Sequence, residues 1–298
     1  MNYMQRQFAQ TALDLLEKDN RVILMFAGAG IVDQSYYDEF KIHSANRIID
    51  FGIAEQGAIG FAAGLAIGNK IPIFHTQAPF IVERAYEQLK IDFGYHKIGG
   101  NFVSLGGSLE FTFLGPTHNA PADVGALKLI PNMQIILPGN LKEFHKLFCE
   151  CYDNNMPTYY RLSRDLNDHE IDVEFAKANV IKRGKKATII AVGPMLKLAL
   201  DTLGEEDVTI LYYTTLAPFD AKTLQENITN DRIILFEPYY SGALSFDILN
   251  ALNEQNIKME FVGIKHKFFN NYGLYTDLLD ELGFTPKQIK EKYMRLIK

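Results

Sequence analysis

Residues 50–68, DFGIAEQGAIGFAAGLAIG, carry the most information about the fold of this chain. From Ala54 to Ile67 only Glu55 and Gln56 are polar, and the other residues are apolar or glycine. A helix that is apolar on all sides must be buried on all sides. Each glycine costs a helix interior roughly 1 kcal/mol relative to alanine, which is tolerable where small residues let another backbone approach. The stretch therefore predicts a buried helix that packs against another helix, in this chain or in a second one.

Short apolar segments with the length of strands alternate with helical patterns along the chain. Strands are predicted at 21–26, 47–49, 71–74, 102–105, 134–137, 187–192, 208–212, 232–236 and 259–262. Helical patterns lie at 4–17, 54–67, 81–93, 122–129, 141–152, 195–203, 246–252 and 288–296. This alternation indicates parallel βαβ units with helices on both faces of each sheet, which is an α/β fold.

The alternation is interrupted by the polar stretch 165–186, where the periodicity fades. A length of 298 residues favours two domains of ordinary size. We therefore expect two doubly wound α/β domains, at 1–170 and 186–298, joined by a linker at 171–185.

Charge and composition exclude several classes of protein. The chain has 30 Lys and Arg against 36 Asp and Glu, a net charge of −6, which argues against binding to nucleic acid or to an anionic membrane. No apolar run reaches the roughly 18 residues of a membrane span, and the first ten residues lack the apolar core of a signal peptide. Cys149 and Cys151 are predicted to be reduced thiols. We expect a soluble, cytoplasmic protein.

Glu55 is the first candidate for chemistry, and its position allows two interpretations. As an acid in the first turn of a helix, it would complement the helix dipole. At the mouth of a dry pocket, the loss of water would favour its protonated form and let it share a proton with a bound base.

Two further segments follow predicted strands, where the loops above a parallel sheet meet ligands. In residues 75–88, HTQAPFIVERAYEQ, Phe80 is either a core residue or an aromatic ring that stacks on a planar ligand. In residues 106–119, GGSLEFTFLGPTHN, His118 ends a glycine-rich loop. A histidine in that place is either structural or catalytic.

Two weaker signals remain. Residues 159–164, YYRLSR, place Arg161 and Arg164 three residues apart, either on a solvated face or as a fork for phosphate or carboxylate. The fragment Gly28-Ala29-Gly30 matches the start of a dinucleotide-binding fingerprint, but Asp33 stands at the third glycine position, so we discount it.

Taken in order, these segments resemble the C-terminal half of transketolase. The matching pieces are Arg47 with GIAEQ (52–56), Phe80 with ERAYEQ (83–88), GPTHN (115–119), LIPNMQIILPGN (129–140), YRLSR (160–164), TTLAPFD (214–220), FEPYYSGAL (236–244) and KFFNNYG (267–273). The resemblance covers nearly the whole chain. Deoxyxylulose-phosphate synthase and the beta subunits of 2-oxo acid dehydrogenases share this layout, but GPTHN is most similar to the transketolase version.

The resemblance implies a pyrimidine-binding domain followed by the transketolase C-terminal domain, with thiamine diphosphate as the cofactor. The family's GDG metal motif does not occur in the chain, which implies one subunit of a split enzyme. The diphosphate and Mg²⁺ would be held by a diphosphate-binding, N-terminal-type partner subunit, with the cofactor lying across the interface. The active form would pair two copies of each half, so self-association into a dimer and weak cofactor binding by the isolated chain are expected.

The resemblance also implies roles for individual residues. Glu55 would protonate the far nitrogen of the pyrimidine ring, Phe80 would stack on that ring, and Arg84 would belong to the same cofactor site. His118 would lie near the reacting carbonyl as a catalytic and substrate-binding residue. Arg164 would hold the phosphate of a sugar phosphate.

Two positions of the implied substrate channel depart from the family pattern. Leu114 stands where transketolase usually has an acid that contacts a substrate hydroxyl, and Gly106 stands where it has a substrate-facing histidine. A buried hydroxyl without a partner costs roughly 1–3 kcal/mol. We therefore expect the cofactor chemistry to be kept and the acceptor to be changed.

The implied activity is transfer of a two-carbon ketol unit between a ketose, or its phosphate, and an aldehyde. One alternative is decarboxylation of a 2-oxo acid followed by carboligation, as in deoxyxylulose-phosphate synthase or a dehydrogenase beta subunit. Another is a non-catalytic partner subunit, although a scaffold has no use for a carboxylate such as Glu55 inside an apolar helix. A nucleotide-binding protein rests on the doubly wound pattern alone.

Overall fold

The computed structural model describes residues 3–28, 45–253, 256–270 and 272–298. Ala29, Gly30 and Asp33 of the discounted glycine fragment lie outside the described residues, as does Asn271 of the KFFNNYG match.

The first half of the chain contains six strands and five α-helices within the described residues. The strands are β1 Val22–Phe26, β2 Ile48–Asp50, β3 Ile71–Gln77, β4 Gly100–Leu105, β5 Gln134–Ile136 and β6 Pro157–Arg161. The helices are α1 Tyr3–Lys18, α2 Glu55–Ile67, α3 Tyr86–Gln88, α4 Asp123–Leu127 and α5 Leu141–Cys151.

The second half, again counted over the described residues, adds six strands and five α-helices. The strands are β7 Asn179–Lys182, β8 Thr188–Val192, β9 Thr209–Tyr213, β10 Thr215–Ala217, β11 Arg232–Tyr240 and β12 Lys258–Ile264. The helices are α6 Met195–Leu203, α7 Ala221–Asn227, α8 Ser245–Ala251, α9 Leu279–Leu282 and α10 Pro286–Ile297.

The strands form two sheets. The first has the order β10-β5-β6-β4-β3-β1-β2, and the second has the order β12-β11-β8-β9-β7. The strand pairs are parallel except β10 with β5 and β7 with β9, which are antiparallel pairs at the sheet edges. Apolar clusters cover both faces of these sheets. The doubly wound α/β fold predicted from the sequence is confirmed.

Local sequence explains where the elements lie. β1, β8 and β9 are buried along their whole length, as expected of parallel strands between two helical layers. Helix α5 begins after Asn140, whose side chain accepts a hydrogen bond from the backbone N–H of Glu143, a common N-cap arrangement.

Three segments differ from the simple alternation. The helix predicted at 81–93 is formed by two π-helical segments, Phe80–Arg84 and Leu89–Tyr95, on either side of α3. The stretch 171–185, predicted as a linker, contains the strand β7. Its four half-buried residues, NVIK, include no long apolar run from which a strand could be predicted. β10 follows β9 in the chain but pairs with β5 of the first sheet, so the two halves share a sheet.

The two cysteines form no disulfide bridge. Cys149 is exposed and Cys151 is buried, and both are free thiols. Burial raises the pKa of the Cys151 thiol to about 12, which makes it unreactive.

None of the helices in the described ranges has both the length and the apolar character of a bilayer span.

Candidate active site

The candidate residues follow the carboxyl ends of neighbouring strands of the first sheet. Glu55 begins α2 shortly after β2, Phe80 and Arg84 follow β3, the loop 106–119 follows β4, and Arg164 follows β6. Because β2, β3, β4 and β6 run parallel, these segments emerge at one edge of the sheet, which is where ligands bind in such folds.

Glu55 is a buried acid with one free oxygen. Its side chain is 2% exposed, and its Oε2 lies 2.7 Å from Nη1 of Arg84. Among the residues that the structure describes, Oε1 has no hydrogen-bond partner. The position in the first turn of α2 also suits the helix dipole. The position at the helix terminus fits the first interpretation of Glu55, while sharing a proton with a bound base stays a prediction.

Arg84 joins Glu55 to the aromatic part of the site. Its guanidinium carbon lies 4.1 Å from the centre of the Phe80 ring, a cation–π distance. The Phe80 and His118 rings meet edge to face, with 5.4 Å between centroids. The structure therefore brings together Glu55, Arg84, Phe80 and His118. Phe80 is half-buried, so it is neither a pure core residue nor a free aromatic ring.

His118 is held by the loop that carries it. Its backbone N–H donates to the carbonyl of Gly115 at 3.0 Å, and its Nδ1 lies 2.9 Å from Oγ1 of Thr117. Gly115 has a φ of +78°, and a Cβ there would lie 2.4 Å from Cε1 of Tyr272. Tyr272, from the second half of the chain, thus packs on this loop, a contact that sequence reasoning missed.

The structure shows the surroundings of Gly106 and Leu114, the two positions that depart from the family pattern. Gly106 has a φ of +76°, and a Cβ on it would lie 2.0 Å from Cε2 of Phe111. The Phe111 ring therefore fills the space in which a histidine side chain at 106 would begin. Leu114 is 42% exposed, so an apolar side chain stands at the surface where the family has an acid. Sequence reasoning missed Phe111.

Arg161 and Arg164 do not form a fork. Arg161 is 1% exposed, and its Nε lies 2.6 Å from Oδ2 of the fully buried Asp123. Arg164 is exposed, and its guanidinium carbon lies 5.9 Å from the centre of the Phe111 ring. The sequence suggested that Arg161 lies on a solvated face or belongs to an anion-binding fork. Both interpretations are wrong for Arg161, because its guanidinium is buried in an ion pair with Asp123. Arg164 remains accessible.

The buried pair is part of a network between the two halves that sequence reasoning missed. Nη2 of Arg161 donates to Oγ of Ser108 at 2.6 Å and to the carbonyl of Pro238 at 3.3 Å. Ser108 Oγ also donates to that carbonyl. A Cβ at Gly107 would lie 2.3 Å from Nε of Arg161, so only glycine allows this approach. In the sequence, the small residues Gly107 and Ser108 stand side by side in the loop, and this was the available hint that another group approaches the backbone there.

His75, which begins the segment containing Phe80, is structural. It is fully buried in β3, and its Nδ1 lies 2.8 Å from the carbonyl of Val103. Burial lowers the pKa of His75 to about 4, so the ring is neutral near pH 7 and packs against Phe8 at 4.6 Å between centroids.

The cluster fits an aminopyrimidine ring, since it offers a buried carboxyl group with a free oxygen beside a half-buried aromatic ring. Within the described ranges, no group of three or more His, Cys, Asp or Glu side chains could hold a metal ion.

Helix α2 is not buried on all sides within this chain, so of the two places expected for its packing partner, this chain or a second one, the described part of this chain does not supply full cover. Phe61 is 46% and Ile67 is 66% exposed. A Cβ at Gly57 or Gly64 would have no neighbour within 4 Å. The apolar residues and glycines of this exposed face, which we call the α2 face (Gly57, Phe61, Gly64 and Ile67), lie at the surface of the described chain, where the Phe61 ring contacts Phe51 at 5.2 Å between centroids.

Comparisons with known proteins identify the family of the chain. Two domain-family models match the chain, "Transketolase, pyrimidine binding domain" over residues 4–168 and "Transketolase, C-terminal domain" over residues 176–289. An uncharacterized 33.6 kDa protein in the fasciation locus of Rhodococcoides fascians is 31% identical over 274 residues, covering 91% of this chain and 87% of that protein. One of the subunits of the apulose-4-phosphate transketolase of Phocaeicola vulgatus is 28% identical over 292 residues, covering 90% of this chain and 92% of that protein.

A solved structure described as a split gene transketolase, inactive beta4 tetramer, superposes with a TM-score of 0.84 at 23% identity, over 99% of this chain and 97% of that one. At that identity the likeness shows a common fold. The resemblance stated from the sequence is confirmed by the two domain-family matches. The chain therefore belongs to the transketolase family, as its pyrimidine-binding domain followed by its C-terminal domain.

Proposed function

We propose that this chain is the pyrimidine-binding subunit of a split, cytoplasmic, thiamine-diphosphate-dependent enzyme that transfers a two-carbon ketol unit from a ketose or ketose phosphate to an aldehyde. A separate subunit with the family's diphosphate-binding domain would hold the diphosphate and Mg²⁺. Two copies of each subunit would form the active heterotetramer. Family membership and the similarity to a subunit of the apulose-4-phosphate transketolase support this assignment.

One observation carries the proposal. Glu55 is an almost fully buried carboxyl group with one oxygen on Arg84 and the other without a partner in the described residues, beside the Phe80 and His118 rings. Because Arg84 fixes only Oε2, Oε1 of this carboxyl group can be offered to a ligand. The ring nitrogen of an aminopyrimidine would meet that oxygen.

The chain's own residues would divide the work as follows. Thiamine diphosphate, when bound, supplies the carbon nucleophile that adds to carbonyl groups and stores the resulting negative charge. Glu55 would share a proton with the pyrimidine ring through Oε1, while Arg84 fixes its other oxygen. Phe80 would contact the ring. His118, whose Nδ1 is engaged by Thr117, has Nε2 left to exchange a proton with a substrate oxygen.

The α2 face supports a partner subunit. It begins two residues beyond Glu55, and its glycines at 57 and 64 leave room for a second backbone. Exposed Phe61 and Ile67 are apolar surface that association would remove from water. A cofactor held by Glu55 on one side would then be enclosed by the partner on the other.

The acceptor is proposed to differ from that of ordinary transketolase. At 106 the Phe111 ring takes the place of a polar side chain, and at 114 leucine replaces an acid. Arg164, exposed beside Phe111, would hold the phosphate of the sugar. A substrate that keeps its phosphate but lacks the hydroxyl normally met by the acid fits these residues.

The test is turnover of the two subunits together with Glu55→Gln. We expect at least about a hundredfold loss of kcat, because glutamine cannot give a proton to the ring, with assembly and thermal stability retained. Glu87→Gln, on the exposed side of the same region, is the matched control and should keep full activity. Unaltered turnover in Glu55→Gln would favour a non-catalytic subunit.

Substrate tests separate the remaining alternatives. Ketol transfer predicts product from a ketose phosphate and an aldehyde without gas release. Carbon dioxide from pyruvate would instead indicate decarboxylation and carboligation. Pentose-phosphate interconversion at the efficiency of ordinary transketolase would contradict the altered acceptor. Calorimetric titration of the cofactor into the chain, with and without its partner, tests whether the site is completed at an interface.

A further inference from the structure

The loop that carries His118 is fixed at its base to the second half of the chain. Oγ of Ser108 donates a hydrogen bond to the carbonyl of Pro238. At the other end of the loop, the N–H of Tyr240 donates to the carbonyl of Pro121 at 2.8 Å. Pro238 and Tyr240 belong to β11, a strand that pairs with neighbours on both sides. The ends of the loop therefore rest on an inner strand of the second sheet.

The middle of the loop contacts Tyr272, which also comes from the second half. A Cβ at Gly115 would lie 2.4 Å from Cε1 and 2.8 Å from Cζ of Tyr272, so the ring rests directly on the backbone of Gly115. The φ and ψ of Gly115 are +78° and −168°, a combination that is essentially restricted to glycine. The approach of the ring and the conformation of the backbone both require glycine here.

The contact between Tyr272 and Gly115 reaches His118 through one hydrogen bond. The backbone N–H of His118 donates to the carbonyl of Gly115 at 3.0 Å, and the His118 ring meets the Phe80 ring at 5.4 Å between centroids. Glycine adopts a wide range of backbone conformations. Without the Tyr272 ring, the Gly115 peptide would therefore be free to turn its carbonyl away from His118.

The exposure of Tyr272 distinguishes this contact from ordinary core packing. Tyr272 is 62% exposed, and its hydroxyl forms no hydrogen bond within the ranges that the structure describes. Substitutions of exposed residues usually change the free energy of unfolding little. Removing the Tyr272 ring should therefore disturb the loop at Gly115 much more than it disturbs the stability of the whole chain.

We propose that Tyr272 is a positioning residue for His118. Its ring packs on Gly115, keeps the carbonyl of Gly115 directed at the N–H of His118, and thereby holds the imidazole beside Phe80. The second half of the chain would thus serve the reaction through His118. This inference rests on the proposed function, which gives His118 the exchange of a proton with the substrate.

NMR of the full chain, labelled with ¹³C at histidine Cε1, tests the positioning without a partner subunit or a substrate. The His118 signal is the one that disappears in His118→Gln. Its nuclear Overhauser effect to the Phe80 ring should be lost in Tyr272→Ala and kept in Tyr272→Phe, which retains the ring. Met294→Ala, at another exposed apolar residue of the second half, should keep the effect. An effect retained in Tyr272→Ala, or lost equally in Tyr272→Phe, would overturn the proposal.

Kinetics of the two subunits together test the consequence for turnover. Tyr272→Ala should lower kcat about tenfold or more, because a misplacement of about 1 Å can cost about a hundredfold in rate. Tyr272→Phe should keep the kcat of the wild type, and both variants should keep its thermal midpoint. In a His118→Gln background, Tyr272→Ala should have no further effect, since it acts through that residue.

Two kinetic results would contradict the positioning role. One is a loss of kcat of the same size with and without His118, and the other is an equal loss in Tyr272→Ala and Tyr272→Phe. Absence of ketol transfer by the wild type would instead count against the proposed function. The NMR contact between His118 and Phe80 would then decide the inference by itself.

Discussion

Nη1 of Arg84 lies 2.7 Å from Oε2 of Glu55, and this ion pair organises the candidate site. The Arg84 guanidinium also covers the Phe80 ring at 4.1 Å. One side chain therefore fixes both the acid and the aromatic ring before any ligand is present. Because glutamate has two oxygens, this anchoring leaves Oε1 for the proposed contact with the cofactor.

The first prediction concerns this ion pair. Arg84→Met should lower the free energy of unfolding by about 1–2 kcal/mol, because it leaves the Glu55 carboxylate buried without its partner; the 40% exposure of Arg84 keeps the loss at the low end. In a Glu55→Gln background the same change should cost much less. Urea denaturation of the double-mutant cycle measures the coupling, and additive effects would show that the two residues do not interact.

A second prediction concerns Gly106. Gly106→Ala should destabilise the chain by about 1–3 kcal/mol, because the new Cβ meets Phe111 and the φ of +76° is strained for alanine. Adding Phe111→Ala should restore part of the loss by removing the clash but not the backbone strain. Thermal unfolding measures both variants, and a neutral Gly106→Ala would mean that the loop has a different conformation.

A third prediction concerns the α2 face. Gly64→Ala should raise the stability of the isolated chain by about 0.5–1 kcal/mol, since alanine favours helix and nothing lies within 4 Å of the new methyl group. Gly64→Leu should leave the isolated chain folded but prevent its association with the partner subunit. Sedimentation of the mixed subunits measures this, and normal assembly of Gly64→Leu would place the interface elsewhere.

A fourth prediction concerns Arg164 in the reconstituted enzyme. Arg164→Ala should raise KM for a phosphorylated ketose about tenfold or more, because a charge-assisted contact to the phosphate is lost. KM for the unphosphorylated sugar should change little. Lys142→Ala removes a remote exposed cation and should change neither value. An equal rise of KM for both sugars would argue against a phosphate-binding role.

A fifth prediction concerns pH and Glu237. Burial raises the pKa of this fully buried acid from 4.5 to about 8, although the N–H of Gly242 opposes the shift. The folded chain therefore holds a proton that the unfolded chain has lost, so stability is greatest below about pH 4.5 for this group and falls as pH rises to about 8. The loss between about pH 5 and about pH 8 is up to about 3 kcal/mol.

Glu237→Gln tests this assignment, because glutamine resembles the protonated acid and can still accept from Gly242. Its denaturation midpoint should depend less on alkaline pH than that of the wild type. Glu110 and Glu143, whose pKa values burial raises to about 7, leave part of the dependence in place. An unchanged pH profile would show that Glu237 is ionised in the folded chain.

The sequence by itself determined the α/β class, the order of most elements and the segments that carry Glu55, Phe80 and His118. Strand-helix alternation has a strong periodic signal, and residues after parallel strands meet at one sheet edge whatever the details of packing. The short strands β7 and β10 were not predicted, because three or four half-apolar residues become a strand only when a neighbouring strand is present.

Only the tertiary structure decided what the charged and glycine residues do. Arg161 and Arg164 look equivalent in YYRLSR. In the structure Arg161 is a buried cation paired with Asp123, which is distant in sequence, whereas Arg164 is exposed. Gly106 is required because the Phe111 ring folds back onto it. Such roles depend on contacts between residues far apart in the chain or on the path of a loop, which local periodicity does not encode.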